Sequence, residues 1–378
     1  MRVAALLLTA FVAWPATASA SPLCPAAERR VGPVEVVALC VDGAELLVER
    51  VIDDADKDAL ALQVRDDLVA VQREFGWTLR GRPQIGVFAT STSYAWGLRS
   101  MFGYSQATAD WVADNSVAFF EPAVRGITVN WQAVRERRPI AAIRHELTHV
   151  VTLEACEPRC DLVPAWLNEG QARLAEATIP GADWRMFRVR YEAASMAATA
   201  SLKPLARLVT QAQWNGLVDW DGYYKYQQAA RATELLREDV GGDAPMARLY
   251  ARIRRGDDVA AAYAALSGRS FDAFARTLSA RMLAAAPPGP AIALIAPGPE
   301  GKGVSYLLYG FAPESHAALR VVSRRVNELL DIAVSPQGAH FATIDDTYPP
   351  GDYMLSIEGV ATVTLTKRGG HPKVMAFD

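Results

Sequence analysis

The chain has 378 residues, 51% of them hydrophobic, with 39 basic and 42 acidic side chains and a formal net charge of −3. That length supports a sizeable core and more than one domain. The near-balance of charge, with no long run of one sign, argues against a nucleic-acid groove or an anionic-membrane patch.

Residues 1–20 read as an export signal: Arg2, an apolar run over 3–12, then small residues at Ala18, Ser19 and Ala20 for cleavage. The apolar run is too short to cross a bilayer, and no later stretch approaches that length. The mature chain is expected to begin near Ser21, exported to the periplasm or the medium. Cys24 follows Pro22 and Leu23 without the small residue a lipid anchor needs, so a soluble exported protein is expected. The cysteines are Cys24, Cys40, Cys156 and Cys160, an even number that in an exported chain points to two disulfides. Local spacing favours Cys24–Cys40 and Cys156–Cys160, although sequence alone leaves three pairings open.

A hairpin is expected over 34–51, turning at Asp42-Gly43. Leu60, Val64, Leu68 and Val71 give residues 56–75 a helical period. Strands are expected at 84–89, 116–120 and 126–131. From 139 the chain reads as helical, with Pro139 and Pro164 as first residues of helices over 139–154 and 164–177. Further helices are expected at 186–198, 224–238, 244–254, 258–266 and 271–285. The Pro- and Gly-rich stretch 286–302 reads as a linker. Beyond it, 303–378 carries short strands at 305–309, 319–322, 340–344, 353–357 and 361–366, a small β-sandwich-like accessory domain. The fold class is thus α+β: a domain over 21–285 with a mixed α/β front and a helical rear, then the β domain.

The chemistry concentrates in His145-Glu146-Leu147-Thr148-His149. Two imidazoles four residues apart share one helix face and can bind one metal ion, with Glu146 placed to take a proton from the water that the metal activates. Ile140, Ile143, Leu147, Val150 and Val151 make the helix largely buried, where polar groups without partners are costly. A catalytic zinc takes three protein ligands and keeps one open position. Nineteen residues lie between His149 and Glu169, enough for a helix to end, turn and run back antiparallel. Glu169 is the candidate third ligand, and Gly170 the residue that lets these two helices approach.

The His145–His149 motif followed by Trp166-Leu167-Asn168-Glu169-Gly170 resembles the gluzincin zinc metallopeptidases, especially the peptidase-MA-like group. Weaker matches at Leu202-Lys203-Pro204-Leu205, Tyr226-Gln227-Gln228-Ala229, Gly256-Asp257-Asp258 and Gly268-Arg269-Ser270-Phe271 extend the resemblance over roughly 82–282. It implies a gluzincin-type domain with Zn2+ on His145, His149 and Glu169, Glu146 as base, and a peptide or protein substrate. Two departures stand out. Thermolysin-like members carry an Asp one turn after the glutamate ligand to orient a zinc histidine, and Arg173 stands there. They also use a later histidine on the oxyanion, whereas the remaining histidines, His316, His340 and His371, lie beyond the linker. Tyr226, in the cluster Tyr223, Tyr224 and Tyr226, best fits the family spacing as the oxyanion donor.

The expected function is hydrolysis of a peptide bond by an exported zinc metallopeptidase, with a strand such as 116–120 aligning the substrate. The alternative readings are a zinc-binding protein without proteolysis and a cell-envelope interaction role residing in the β domain. No nucleic-acid partner is expected, and the oligomeric state is not legible.

Overall fold

The computed structural model describes residues 27–135, 140–180, 183–286, 288–295, 304–344 and 348–367. The expected export signal, Pro139 and the Cys24–Cys40 pairing lie outside the described residues. Among the described residues, no helix is long and apolar enough to cross a membrane.

The front of the molecule runs β1 (Ala27–Val31), β2 (Val34–Val41), β3 (Ala44–Glu49), α1 (Asp54–Phe75), β4 (Gln84–Phe88), α2 (Ser91–Phe102), α3 (Gln106–Asn115), β5 (Ala118–Glu121), β6 (Gly126–Asn130) and α4 (Trp131–Val134). Its strands form one sheet in the order β1-β2-β3-β4-β6-β5. The hairpin of β2 and β3 turns at Asp42-Gly43 as expected, and β3, β4 and β6 lie parallel. β5 returns antiparallel on β6, with Phe120 opposite Ile127, and ends the sheet. Helices α2 and α3 were not foreseen. Each opens on a side-chain cap, Thr90 with Ser93 in a capping box and Ser105 accepting from the Thr108 N–H.

The rear is helical: α5 (Ala141–Cys156), α6 (Ala165–Ala177), α7 (Asp183–Ala198), α8 (Gln211–Asn215), α9 (Asp219–Val240), α10 (Asp243–Arg254), α11 (Val259–Ser267) and α12 (Phe271–Leu283). Pro164 is the cap of α6 and not its first helical residue, because its ψ of 148° is extended. Helix α9 starts earlier than the expected residue 224, where Asp219 and Asp221 place negative charge in the first turn. Helix α5 lies between two cores. Ile143, Leu147 and Val150 pack with the sheet and α1, while Val151, Ala155 and Cys156 join the core shared with α6 and α9. The close approach that Gly170 permits is to α9 and not, as expected, to α5. A Cβ there would sit 2.4 Å from both the Ala229 carbonyl oxygen and Thr233 Oγ1.

The C-terminal part is built of β7 (Ala291–Ile295), β8 (Val304–Tyr309), β9 (His316–Val322), β10 (Asn327–Ala333), β11 (His340–Ile344), β12 (Gly351–Ile357) and β13 (Ala361–Lys367). They form two sheets, β11-β8-β7 and β10-β9-β12-β13, whose facing side chains share one core. The stretch 286–302, expected as linker, contains β7, because the apolar run 291–295 pairs with β8. This part is docked on the helices: Ser195 Oγ donates to the Gln337 carbonyl (2.8 Å), Ser335 Oγ to the Tyr224 hydroxyl (3.1 Å), and Gln337 Nε2 to Asp221 (3.1 Å).

Candidate metal centre

Two polar clamps set the position of α5. Gln63 of α1 donates to the Ile140 carbonyl (2.8 Å) and accepts from the Ile140 N–H (3.0 Å) at the entry to the helix. One turn in, Arg144 pairs with the buried Asp67 of α1 at 2.6 Å. The entry to α6 is fixed differently. Its first N–H groups lack helical acceptors, and those of Ala165 and Trp166 donate instead to the Val209 and Leu208 carbonyls at 2.8 and 3.0 Å. Trp166 is 1% exposed and stacks on Phe271, so it anchors the helix in the core. The Cys156–Cys160 disulfide closes the turn leaving α5, as expected from its spacing.

These constraints bring His145, His149 and Glu169 together, with one ligand atom of each within 4.8 Å of the others. Nε2 of His145 and of His149 lie 3.5 and 3.7 Å from the same Glu169 oxygen. The opposite nitrogens are occupied: His145 Nδ1 meets Glu176 Oε1 at 2.6 Å, and His149 Nδ1 meets Asn168 Oδ1 at 3.1 Å. With an acceptor at each Nδ1, each Nε2 is the nitrogen turned to the carboxylate and, once it gives up any proton, the one that can bind a zinc ion. The residues therefore fit the metal.

Glu176 and Asn168 were not singled out in the sequence. Arg173 does stand one turn after Glu169, but the carboxylate that holds His145 comes one turn later still, from Glu176. Arg173 serves that carboxylate, since its Nη1 donates to Glu176 Oε2, with Arg185 Nη1 at 3.4 Å from the same oxygen. The readable signal was the spacing of seven between Glu169 and Glu176, two turns on one helix face.

Burial opposes charge on both histidines. At His145 the hydrogen bonds to Glu169 and Glu176 overcome it and hold the imidazole well above its usual range, whereas His149 is held below. Burial, reinforced by Glu169 and Glu176, raises the Glu146 carboxyl to about 7, although His145 and the Phe120 N–H act to lower it. Glu146 is thus tied to the backbone of edge strand β5. Tyr226 lies beside the centre, its ring 6.3 Å from that of His145 and 5.0 Å from that of Trp214. Burial and then the Glu169 charge push its phenol well above the ordinary value, which keeps it a proton donor. Weakly matched segments also meet here: Gln228, next but one to Tyr226, exchanges hydrogen bonds with the Lys203 backbone at 2.9 and 2.6 Å.

The centre lies in a cleft along β5. A cavity of about 420 Å³ extends past His145, Glu146 and Tyr226, and one of about 400 Å³ past His149 and Asn168. A larger cavity of about 1160 Å³ lies behind Arg144 and Asp67 and is lined by none of the three convergent residues.

No protein-family model and no curated protein matches the chain. Among solved structures it is similar to yeast LTA4 hydrolase in complex with bestatin, at 16% identity and a TM-score of 0.32, covering 68% of this chain and 36% of that one. It is also similar to the M1 zinc metallopeptidase from Deinococcus radiodurans, at 16% identity and a TM-score of 0.32, covering 71% of this chain and 53% of that one. The chain thus spans about a third and about half of the lengths of these two proteins.

Proposed function

We propose that the protein is an exported zinc metallopeptidase that hydrolyses peptide bonds at His145, His149 and Glu169, with Glu146 as general base. The observation that carries this reading is the convergence of both Nε2 atoms on Glu169 beside a carboxyl raised to about 7. A structural zinc closes its fourth position with a protein ligand and has no use for such a base. A zinc ion on these three side chains supplies the Lewis acid that acidifies a water and polarises the scissile carbonyl.

The remaining steps belong to the chain's own residues. Glu146, buried beside the two histidines, accepts the proton of the attacking water and delivers it to the leaving amine. Tyr226 donates to the carbonyl oxygen as that oxygen gains charge. Strand β5, whose outer side is not paired among the described residues, offers backbone groups to an extended peptide. The disulfide at Cys156 suits the oxidising compartment that export would provide.

The test is cleavage of a peptide library by the protein with zinc, after a chelator, and after zinc is restored. Chelator-sensitive cleavage that zinc recovers is expected. A protein that holds zinc and cleaves nothing would be a binding module on this scaffold.

A further inference from the structure

Both guanidiniums that hold Glu176 can be followed, contact by contact, to one ring of the C-terminal sheets. Strand β11 alternates: Ala342 and Ile344 join the core between the two sheets, while Phe341 faces the helices and packs with Phe187 and Tyr191 of α7. Phe341 stacks on Trp184 with ring centroids 6.0 Å apart. Arg188, four residues further along the same face of α7, lies 4.1 Å over the Phe341 ring.

Two lines of contact run from there to the metal centre. On the short one, Arg185 lies 4.5 Å over the Trp184 ring and reaches Glu176 Oε2 at 3.4 Å. On the long one, Arg188 Nε donates to the fully buried Glu192 at 2.8 Å, and Glu192 accepts from the Tyr223 hydroxyl at 3.2 Å. That hydroxyl accepts from Gln227 Nε2 at 3.0 Å, and Gln227 Oε1 accepts from Arg173 Nε at 3.4 Å. Arg173 Nη1 then donates to Glu176 Oε2. Both lines end on the carboxylate whose other oxygen meets His145 Nδ1. Buried polar groups have few alternative partners, so a shift of one member is passed to the next.

We propose that Phe341, on the zinc reading above, is a positioning residue for the metal centre. Its ring holds Trp184 and Arg188; these set Arg185 and the line through Glu192 to Arg173, and the two arginines fix Glu176 against His145. The C-terminal sheets thereby take part in metal binding although none of the three proposed ligands comes from them.

The test is zinc affinity of the full-length protein, measured by competition with a chromophoric chelator. Phe341→Leu keeps apolar bulk but removes the ring face, and should weaken zinc binding by about three- to tenfold. Phe341→Tyr keeps the ring and should bind zinc as the wild type does. Because both lines end on Glu176, Phe341→Leu added to Glu176→Ala should cost less than about twofold more. Trp184→Leu breaks the short line from the helix side and should weaken binding in the same Glu176-dependent way, which keeps the test open should Phe341→Leu fail to fold. Wild-type affinity in the Leu variants overturns the inference and leaves the metallopeptidase reading standing. So does an equal loss with and without Glu176, or a Phe341→Tyr protein as weak as Phe341→Leu. A wild-type protein that takes up no zinc overturns the reading of the metal centre itself.

Discussion

Glu176 Oε1 lies 2.6 Å from His145 Nδ1, so the outer face of that imidazole is committed and Nε2 is the nitrogen left for a metal. Partners of this kind typically change metal affinity 10–100-fold when removed. Glu176→Ala should weaken zinc binding by about that factor, measured by competition with a chromophoric chelator. Wild-type affinity in the variant would remove Glu176 from the centre.

The same carboxylate predicts an acid-sensitive fold. Burial acts to raise Glu176, but Arg173, His145 and Arg185 prevail and hold it down at about 2, against an ordinary 4.5. A carboxyl depressed in the folded state stabilises fully above the unfolded value and loses that contribution as pH falls toward the folded one. The metal-free protein should therefore lose on the order of 2–3 kcal/mol from this group between about pH 5 and pH 2. Urea titrations across that window should show a shallower loss in Glu176→Gln, and identical slopes would contradict the assignment.

Glu146→Gln keeps the shape of the side chain and removes its basicity. Zinc content should stay at the wild-type level while kcat falls by about 10²–10⁴-fold. Full peptidase activity in this variant would end the proposed mechanism.

Tyr226→Phe removes one hydroxyl beside His145 and keeps the packing on Trp214. A donor used only as the oxyanion forms lowers kcat, here by about 10²–10³-fold, and leaves KM nearly unchanged. An effect confined to KM would instead make the tyrosine a substrate contact.

Gly170 is a point of close approach between α6 and α9, as a Cβ would meet the Ala229 carbonyl at 2.4 Å. That oxygen belongs to the backbone and cannot swing aside. Gly170→Ala should cost about 1–3 kcal/mol in chemical denaturation and also lower zinc affinity, because Glu169 is the neighbouring residue. Unchanged stability would show that the helices can part freely.

How much was legible depends on whether the information was local. Spacing of four along one helix was enough to pair His145 with His149, and the hairpin at Asp42-Gly43 was readable from its turn residues. Glu176 was not legible because the resemblance points to Arg173, one turn too early, and the spacing of seven from Glu169 marks a shared helix face without showing what that face meets. Gly170 was assigned the wrong neighbour for a similar reason: the sequence shows that a helix needs a gap but not which helix fills it. Strand β7 hid among prolines, and β10, with Asn327, Glu328 and Asp331, lacks the apolar alternation of a half-buried strand.

The docking of the C-terminal strands has a consequence for the order in which the protein matures. Synthesis delivers His145, Glu146, His149, Glu169 and Tyr226 well before Ser335 and Gln337, which grip Tyr224 and Asp221 at the head of α9. A nascent chain can therefore hold every proposed ligand while the helix that carries Tyr226 is still unbraced at its start. Ser335 and Gln337 thus brace the start of the helix that carries Tyr226, and a chain cut before residue 335 would lack these contacts while keeping every proposed ligand.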